Sequence, residues 1–349
     1  MEHQGQRAAA GRVTIVDVAH RAGVAISTVS AALNGRSGVS EQTRAKVRRA
    51  ADELGWVPSL RGRSLSAKRT FSVGMVIQRH PRVLEADPFF WGFIGGVESV
   101  LDERGYAFVL HTATSGPRTL ERIRELALGR GIDGIFLTDV RTRDPRHALL
   151  AELGLPGVTL NVPANRSPLP TVNQDHEQAL AALMALLLEQ GHTRIAHLSG
   201  PPSLVHSVQR RRIWRTALED AGLAADLLLA GDFTTDRGRL AAAELMGRTD
   251  PPTAVVCAND LSAVGLLAGL RELGVDCPGE VSVAGFDGIA MGEVTSPTLT
   301  TVQTDPHQLG SSAAQLLLAA IDGRPRQDVQ IAPAELLVRA SVAPPPARR

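Results

Sequence analysis

The 349-residue chain is 44% hydrophobic, 21% charged and 3% aromatic, the composition of a globular protein too long for one ordinary domain. Its formal net charge of +1 hides an asymmetry: residues 1–70 carry twelve Lys and Arg against five Asp and Glu, a net of +7, and the other 279 residues sum to −6. Two cysteines, Cys257 and Cys277, without a CxxC pair exclude a disulfide framework and a zinc site. The opening MEHQGQRAAAGR lacks the apolar core of a secretory signal, and no apolar run approaches the roughly 18 residues that span a bilayer. A cytoplasmic protein with a polyanion-binding head and a different task in its acidic body is expected.

In the head, residues 14–23 predict a short helix, with Thr14 as its cap and Asp17 near the positive end of the helix dipole. Val24 turns the chain, and residues 26–34 predict a second helix. Ala19, Gly23 and Val29 supply the small residue, turn glycine and apolar contact that two closely crossing helices need. Ser40 caps a third helix, EQTRAKVRRAADELG. Its Val47, Ala50, Ala51 and Leu54 form an apolar stripe, with Arg44, Lys46, Arg48 and Arg49 mostly outside it. Spacing, charge and position together favour a helix-turn-helix that binds DNA over a bundle with a solvated basic face. Pro58 then stops the third helix. Arg61, Arg63, Lys68 and Arg69 offer phosphate contacts in the segment that follows.

From Phe71 onward strands and helices alternate. SVGMVIQ, FVLH, GIFL and GVTL read as strands, PFFWGFIGGVESVLDERG as a helix, and further helices start near Arg118 and Asp144. A second series begins at Thr171: a helix over 175–190, strand RIAHLS, a helix around 208–221, strand TAVVC, a helix over 260–273 and strand VSVAGF. Alternation of this kind predicts parallel sheets covered by helices on both faces, in two similar doubly wound lobes. Residues 300–323 and a strand near 331–338 read as returns across the joint. A ligand belongs between the lobes, at the carboxyl ends of the strands. No GxGxxG, Walker, HExxH or GxSxG pattern is present, so no catalytic residue, cofactor or metal is expected.

TIVDVAHRAGVAISTVSAALNG and VSEQTRAKVRRAADELGWVPS resemble the head of the LacI/GalR family of bacterial transcription regulators. GHTRIAHLSG, VVCANDLSAVG and EVSVAGFDGIAMGEVTSPTLTTV extend the resemblance to about residue 337, over a body similar to periplasmic sugar-binding proteins. The resemblance implies a head over residues 12–58, a hinge over 59–70 and a two-lobed body over 71–340. The first lobe would take about 71–170 and 299–328, the second about 171–298 and 329–340. It further implies that the second helix lies in the major groove, with Ile26 and Ser27 at base edges and Thr28, Ser30 and Asn34 nearer the backbone. Thr14 joins this DNA-facing set. Arg61 and Arg63 would hold phosphates, and Leu65 would wedge into the minor groove from a hinge that turns helical on DNA.

Four positions depart from the family pattern. Ala25 stands where Ser is usual and cannot cap the second helix, a loss of roughly 0.5–2 kcal/mol. Ala31 stands where Arg is common, which removes a guanine contact. Gly62 replaces Ala in the hinge, and Ile213 replaces Gly after Arg210, Arg211 and Arg212, leaving open which arginine faces inward. The resemblance places Asp175, Arg210, Asn259 and Asp287 on the ligand, and Phe89, Phe90 or Trp91 from the first lobe could stack on a sugar or base face. The expected function is a homodimeric, ligand-controlled repressor of double-stranded operator DNA whose effector is a sugar or related polyol. The proline-rich ending SVAPPPARR fits a dimer without a further coiled coil. The alternatives are a sugar-binding protein and a sugar- or nucleotide-modifying enzyme on the same fold.

Overall fold

The computed structural model describes residues 13–33, 38–56, 69–79, 84, 86–163 and 167–347. The chain divides into two units, residues 1–71 and 72–349.

The head consists of α1 (Ile15–Ala22), α2 (Ile26–Leu33) and α3 (Glu41–Glu53). The Asp17 carboxylate accepts from both the backbone N–H and the hydroxyl of Thr14, at 2.7 and 2.8 Å. Gly23 ends α1 in the left-handed region, at φ 58°, where glycine carries no steric penalty. Ser40 accepts from the Thr43 N–H to open α3. Val18, Ala19, Ala22, Val29, Ala32, Val47, Ala50 and Ala51 make the buried core. Small residues at its centre let three short helices approach closely. Arg21 and Glu53 tie α1 to α3.

The body runs through β1 (Ser72–Ile77), α4 (Pro88–Arg104), β2 (Ala107–Thr112), α5 (Gly116–Leu128), β3 (Gly134–Leu137), α6 (Pro145–Leu153), β4 (Gly157–Leu160) and β5 (Thr171–Gln174). It continues with α7 (Glu177–Glu189), β6 (Ile195–Ser199), α8 (Val205–Asp220), β7 (Leu228–Ala230), α9 (Thr235–Met246), β8 (Ala254–Cys257), α10 (Asp260–Glu272) and β9 (Ser282–Asp287). The closing elements are α11 (Met291–Val294), β10 (Thr300–Gln303), α12 (Pro306–Ile321), β11 (Val329–Ile331) and β12 (Glu335–Leu337). Two six-stranded sheets result, ordered β11-β5-β4-β3-β1-β2 and β12-β10-β9-β8-β6-β7. All neighbours are parallel except β10 and β12.

The lobe boundaries expected from sequence need correction at all three crossings. β5 pairs with β4, Thr171 opposite Thr159, so residues 171–174 belong to the first lobe. β10 pairs with β9, which keeps residues 300–303 in the second lobe. β11 pairs with β5, so residues 329–331 return to the first. The chain therefore crosses just after Gln174, Gln303 and Ile331. One side chain laces the crossings together: Gln174 accepts from the Asp305 N–H at 2.9 Å and donates to the Ala332 carbonyl at 3.0 Å.

Helix packing in the body relies on glycine at close approaches. A Cβ on Gly96 of α4 would overlap the His307 carbonyl, and one on Gly310 of α12 would overlap the Phe93 carbonyl. These two helices cover one face of the first sheet, their Phe93 and Leu317 packing with Met75 and Phe136 of the sheet. Among the described residues, no helix is long and apolar enough to cross a membrane.

Candidate ligand cleft and DNA-facing helix

Between the two sheets lies a cleft of about 740 Å³, the open solvent at its mouth included. The laced crossings bound it on one side. On another, backbone hydrogen bonds join the lobes: Val205 N–H donates to the Val140 carbonyl at 2.9 Å, and Thr142 N–H to that of Ser203 at 3.0 Å.

Arg79, just past β1, dominates the first-lobe wall. Its Nε and one Nη hold both oxygens of Asp139 at 2.7 and 2.9 Å, and the other Nη reaches Asp87 at 3.2 Å. Burial works to raise the Asp139 pKa, but the paired guanidinium outweighs it and holds the carboxylate at about 2. The Asp87 carboxyl, which also caps α4 by accepting from Phe89 N–H, is pushed up by burial against the pull of Arg79. The Arg79 guanidinium lies 5.2 Å from the ring centroids of both Phe90 and Phe233, spanning the two lobes.

The second-lobe wall centres on Arg210 and Asp287. Arg210 donates to the Ala258 carbonyl and lies over the Phe286 ring, 3.4 Å from its centroid. Burial lowers its pKa to about 10, with Asp287 pulling it back up. The Asp287 carboxyl is raised well above the usual range by burial, only partly offset by Arg210. Its backbone sits at φ 120°, a conformation that costs an L-residue free energy and clusters at functional sites. Burial also lowers His176 to about 4 and His206 to about 3, so both imidazoles are neutral at pH 7. Three polar atoms of the lining, Thr138 Oγ1, His176 Nε2 and Arg210 Nε, are buried without a hydrogen-bond partner in the protein. Such groups are rare in folded proteins, and a ligand's hydroxyls are suited to complete them.

Phe89, Phe90, Arg210, Asn259 and Asp287 all line this cleft. The inward arginine is Arg210, since Arg212 is exposed and pairs with Glu177. Asn259 is already engaged: it accepts from Ser262 N–H to cap α10 and donates to the Phe233 carbonyl at 3.0 Å. Asp175 lines the groove that adjoins this cleft rather than the cleft itself. Its carboxylate is exposed and accepts from Glu177 N–H at 2.8 Å just before α7, and the next residue, His176, lines the cleft. Sequence reasoning missed Arg79, Asp139, His206 and Phe233. Their signal was present, because Arg79 and Asp139 follow β1 and β3, where the carboxyl-end rule places ligands. Among the described residues no cluster of His, Cys, Asp and Glu suits a metal.

In the head, Ile26 and Ser27 are exposed at the start of α2, and Thr28 and Ser30 are partly exposed. An isoleucine 47% exposed at a helix start offers an apolar contact of the kind thymine methyl groups accept. The Thr14 hydroxyl is committed to Asp17. Asn34, Arg61, Arg63 and Leu65, with the segment 57–68, lie outside the described residues.

Residues 14–59 match the bacterial regulatory proteins of the lacI family, and residues 184–342 match a periplasmic binding protein-like domain. The HTH-type transcriptional regulator CelR of Thermobifida fusca is 36% identical over 95% of this chain and 98% of its own length. The chain belongs to the LacI family. It is a DNA-binding transcription regulator under ligand control. Among solved structures, a CelR–cellobiose complex matches with a TM-score of 0.72 at 36% identity, covering 95% of this chain and all of that one. The lac repressor dimer bound to operator and the anti-inducer ONPF matches with a TM-score of 0.81 at 26% identity, covering 95% of this chain and 99% of that one.

Proposed function

We propose that the chain is a homodimeric repressor whose hold on operator DNA is set by a neutral, polyhydroxylated ligand, a sugar, seated in the interlobe cleft. One observation carries the choice of ligand: the cations lining the cleft are already matched by the protein's own carboxylates. Arg79 is ion-paired with Asp139 and Asp87, Arg210 has Asp287 as its strongest charged neighbour, and His176 and His206 are uncharged. A phosphate or carboxylate ligand would meet three aspartates, with Arg210, among the described residues, the one lining arginine outside an ion pair. Sugar hydroxyls both donate and accept, which suits Asp287, Arg210 and the unpartnered Thr138 and His176 atoms. Half-buried Phe89 offers an apolar ring to a sugar face. The cellobiose bound in the CelR relative is a ligand of this kind.

In the head, residues 12–58, Ile26 and Ser27 would read base edges, with Thr28, Ser30 and Asn34 nearer the phosphates. Residues 59–70 would form the hinge, with Arg61 and Arg63 on the backbone and Leu65 in the minor groove. The dimer is carried over from the lac repressor relative, and the site of action is the cytoplasm. The ligand is released unchanged, so the protein is not an enzyme.

A thermal-shift series on the full chain tests the ligand class. Neutral sugars should raise Tm, by an amount equivalent to about 2.7 kcal/mol at a hundredfold excess over Kd, while sugar phosphates and sugar acids should not. Equal stabilisation by an anionic analogue, or turnover of the sugar, would overturn the reading.

A further inference from the structure

The cleft adjoins a further pocket on each of two sides. Toward the backbone bridge at Val140 and Val205, the Arg79–Asp139 ion pair and the Phe233 ring stand across the passage. Toward the crossings, the wall is Asn161, Gln174 and His176, and these same residues line a second groove running outward past Asn173, Gln178, Gln209 and Gln330. The two chambers therefore share a wall of amides and a neutral imidazole rather than a fixed charge pair.

The chemistry of the groove is unusual for a protein surface. Amide side chains come from both lobes: Asn161, Asn173 and Gln330 from the first, Gln178 and Gln209 from the second. Each can donate and accept at once. Two carboxylates also line the groove: that of Glu177 is paired with Arg212, and that of Asp175 accepts from the Glu177 N–H. Gln209 Oε1 is buried without a hydrogen-bond partner, as is His176 Nε2 at the junction with the inner chamber. Two unfilled polar atoms thus mark a path from the inner chamber into the groove.

We propose that this groove is a second sugar subsite, so that the ligand is an oligosaccharide with one end in the inner chamber and its following units along the amides. The proposal rests on the sugar reading given above and adds chain length to it. Gln209 and Gln330 would act as length-selecting residues, since they touch only the outer units.

The test uses the full-length protein and glucose oligomers of one to four units, in α-1,4 and β-1,4 linkage, by calorimetric titration. Affinity is expected to rise about tenfold when a unit is added beyond those filling the inner chamber, the upper share of one or two neutral hydrogen bonds. Gln209→Ala and Gln330→Ala should each erase most of that gain while leaving the shortest bound sugar within about twofold of its original affinity, less than one hydrogen bond's share. Longer oligomers binding no better than the shortest binder would overturn the subsite and leave the sugar reading standing. Variants that weaken binding of all lengths alike would overturn the subsite in the same way. Failure of every glucose oligomer to bind, together with no neutral sugar raising Tm, would remove the sugar reading and the subsite together.

Discussion

The ion pair between Arg79 and Asp139 should make the body's stability depend on pH in a way one substitution can isolate. The Asp139 side chain is 15% exposed, and its carboxylate titrates at about 2 against an ordinary value near 3.9 in the unfolded chain. A depressed carboxylate contributes stability that is fully present above the unfolded value and is lost as pH falls through the folded one. The difference is worth about 2 kcal/mol at pH 7 and about 1 kcal/mol at pH 3. Asp139→Asn removes the titration while keeping the shape. The left-handed backbone at this position, φ 48°, suits Asn as well as Asp. The guanidinium of Arg79 keeps Asp87 as a partner, so the charge is not left bare. Urea unfolding of both proteins at pH 7, 4.5 and 3 should show a stability gap that shrinks by about 1 kcal/mol across the series. A gap that is constant with pH would refute the assignment of the low pKa to this pair, and a gap that widens would reverse its sign.

Three further outcomes are expected. Asp287→Gly removes the carboxylate at a backbone angle glycine adopts freely; the ligand response of operator binding, followed by fluorescence anisotropy, should vanish while ligand-free operator affinity persists, and an intact response would take Asp287 out of the site. Ile26→Ala should narrow the preference for operator over random duplex, and equal losses on both would deny α2 its base contact. Gly310→Val forces a side chain into the Phe93 carbonyl and should lower body stability by at least about 1–3 kcal/mol, the usual range of overpacking; an unmoved urea midpoint would show that α4 and α12 can separate at no cost.

Much of the fold was legible because its signals are local. Thr14 and Asp17, Gly23, and Ser40 with Thr43 are capping arrangements within a few residues of each other, and α1 and α3 begin where those residues place them. GIFL and GVTL are β3 and β4 residue for residue, each wholly buried. By contrast, α9 escapes a reading of the sequence. Its contact surface is Gly238, Ala241 and Ala242, seated against α10 where Gly265 and Gly269 admit them. A helix that packs through small residues lacks the large apolar stripe that periodicity detects. The short strands at the crossings failed for another reason. Nothing in TVNQ, TTVQ or VQI states which sheet it joins, since that is decided by pairing with β4, β9 and β5 at long range.

The site divides along the same line. Arg210, Asn259 and Asp287 were found through a family resemblance, whereas Arg79 and Asp139 stand 60 positions apart and gain their meaning only when β1 and β3 lie side by side. Asp175 shows the converse. It is the residue a motif selects, yet its carboxylate is occupied by the Glu177 N–H at the start of α7, and the residue lining the cleft is His176. A helix cap and a ligand contact make the same demand on sequence, an oxygen before an apolar run, and only the turn of the backbone separates them. That separation matters for specificity. His176, neutral and with its Nε2 unfilled, lines the cleft while Asp175 lines the groove beside it, and the balance of charge inside the cleft, more than any one residue, supports the uncharged effector proposed above.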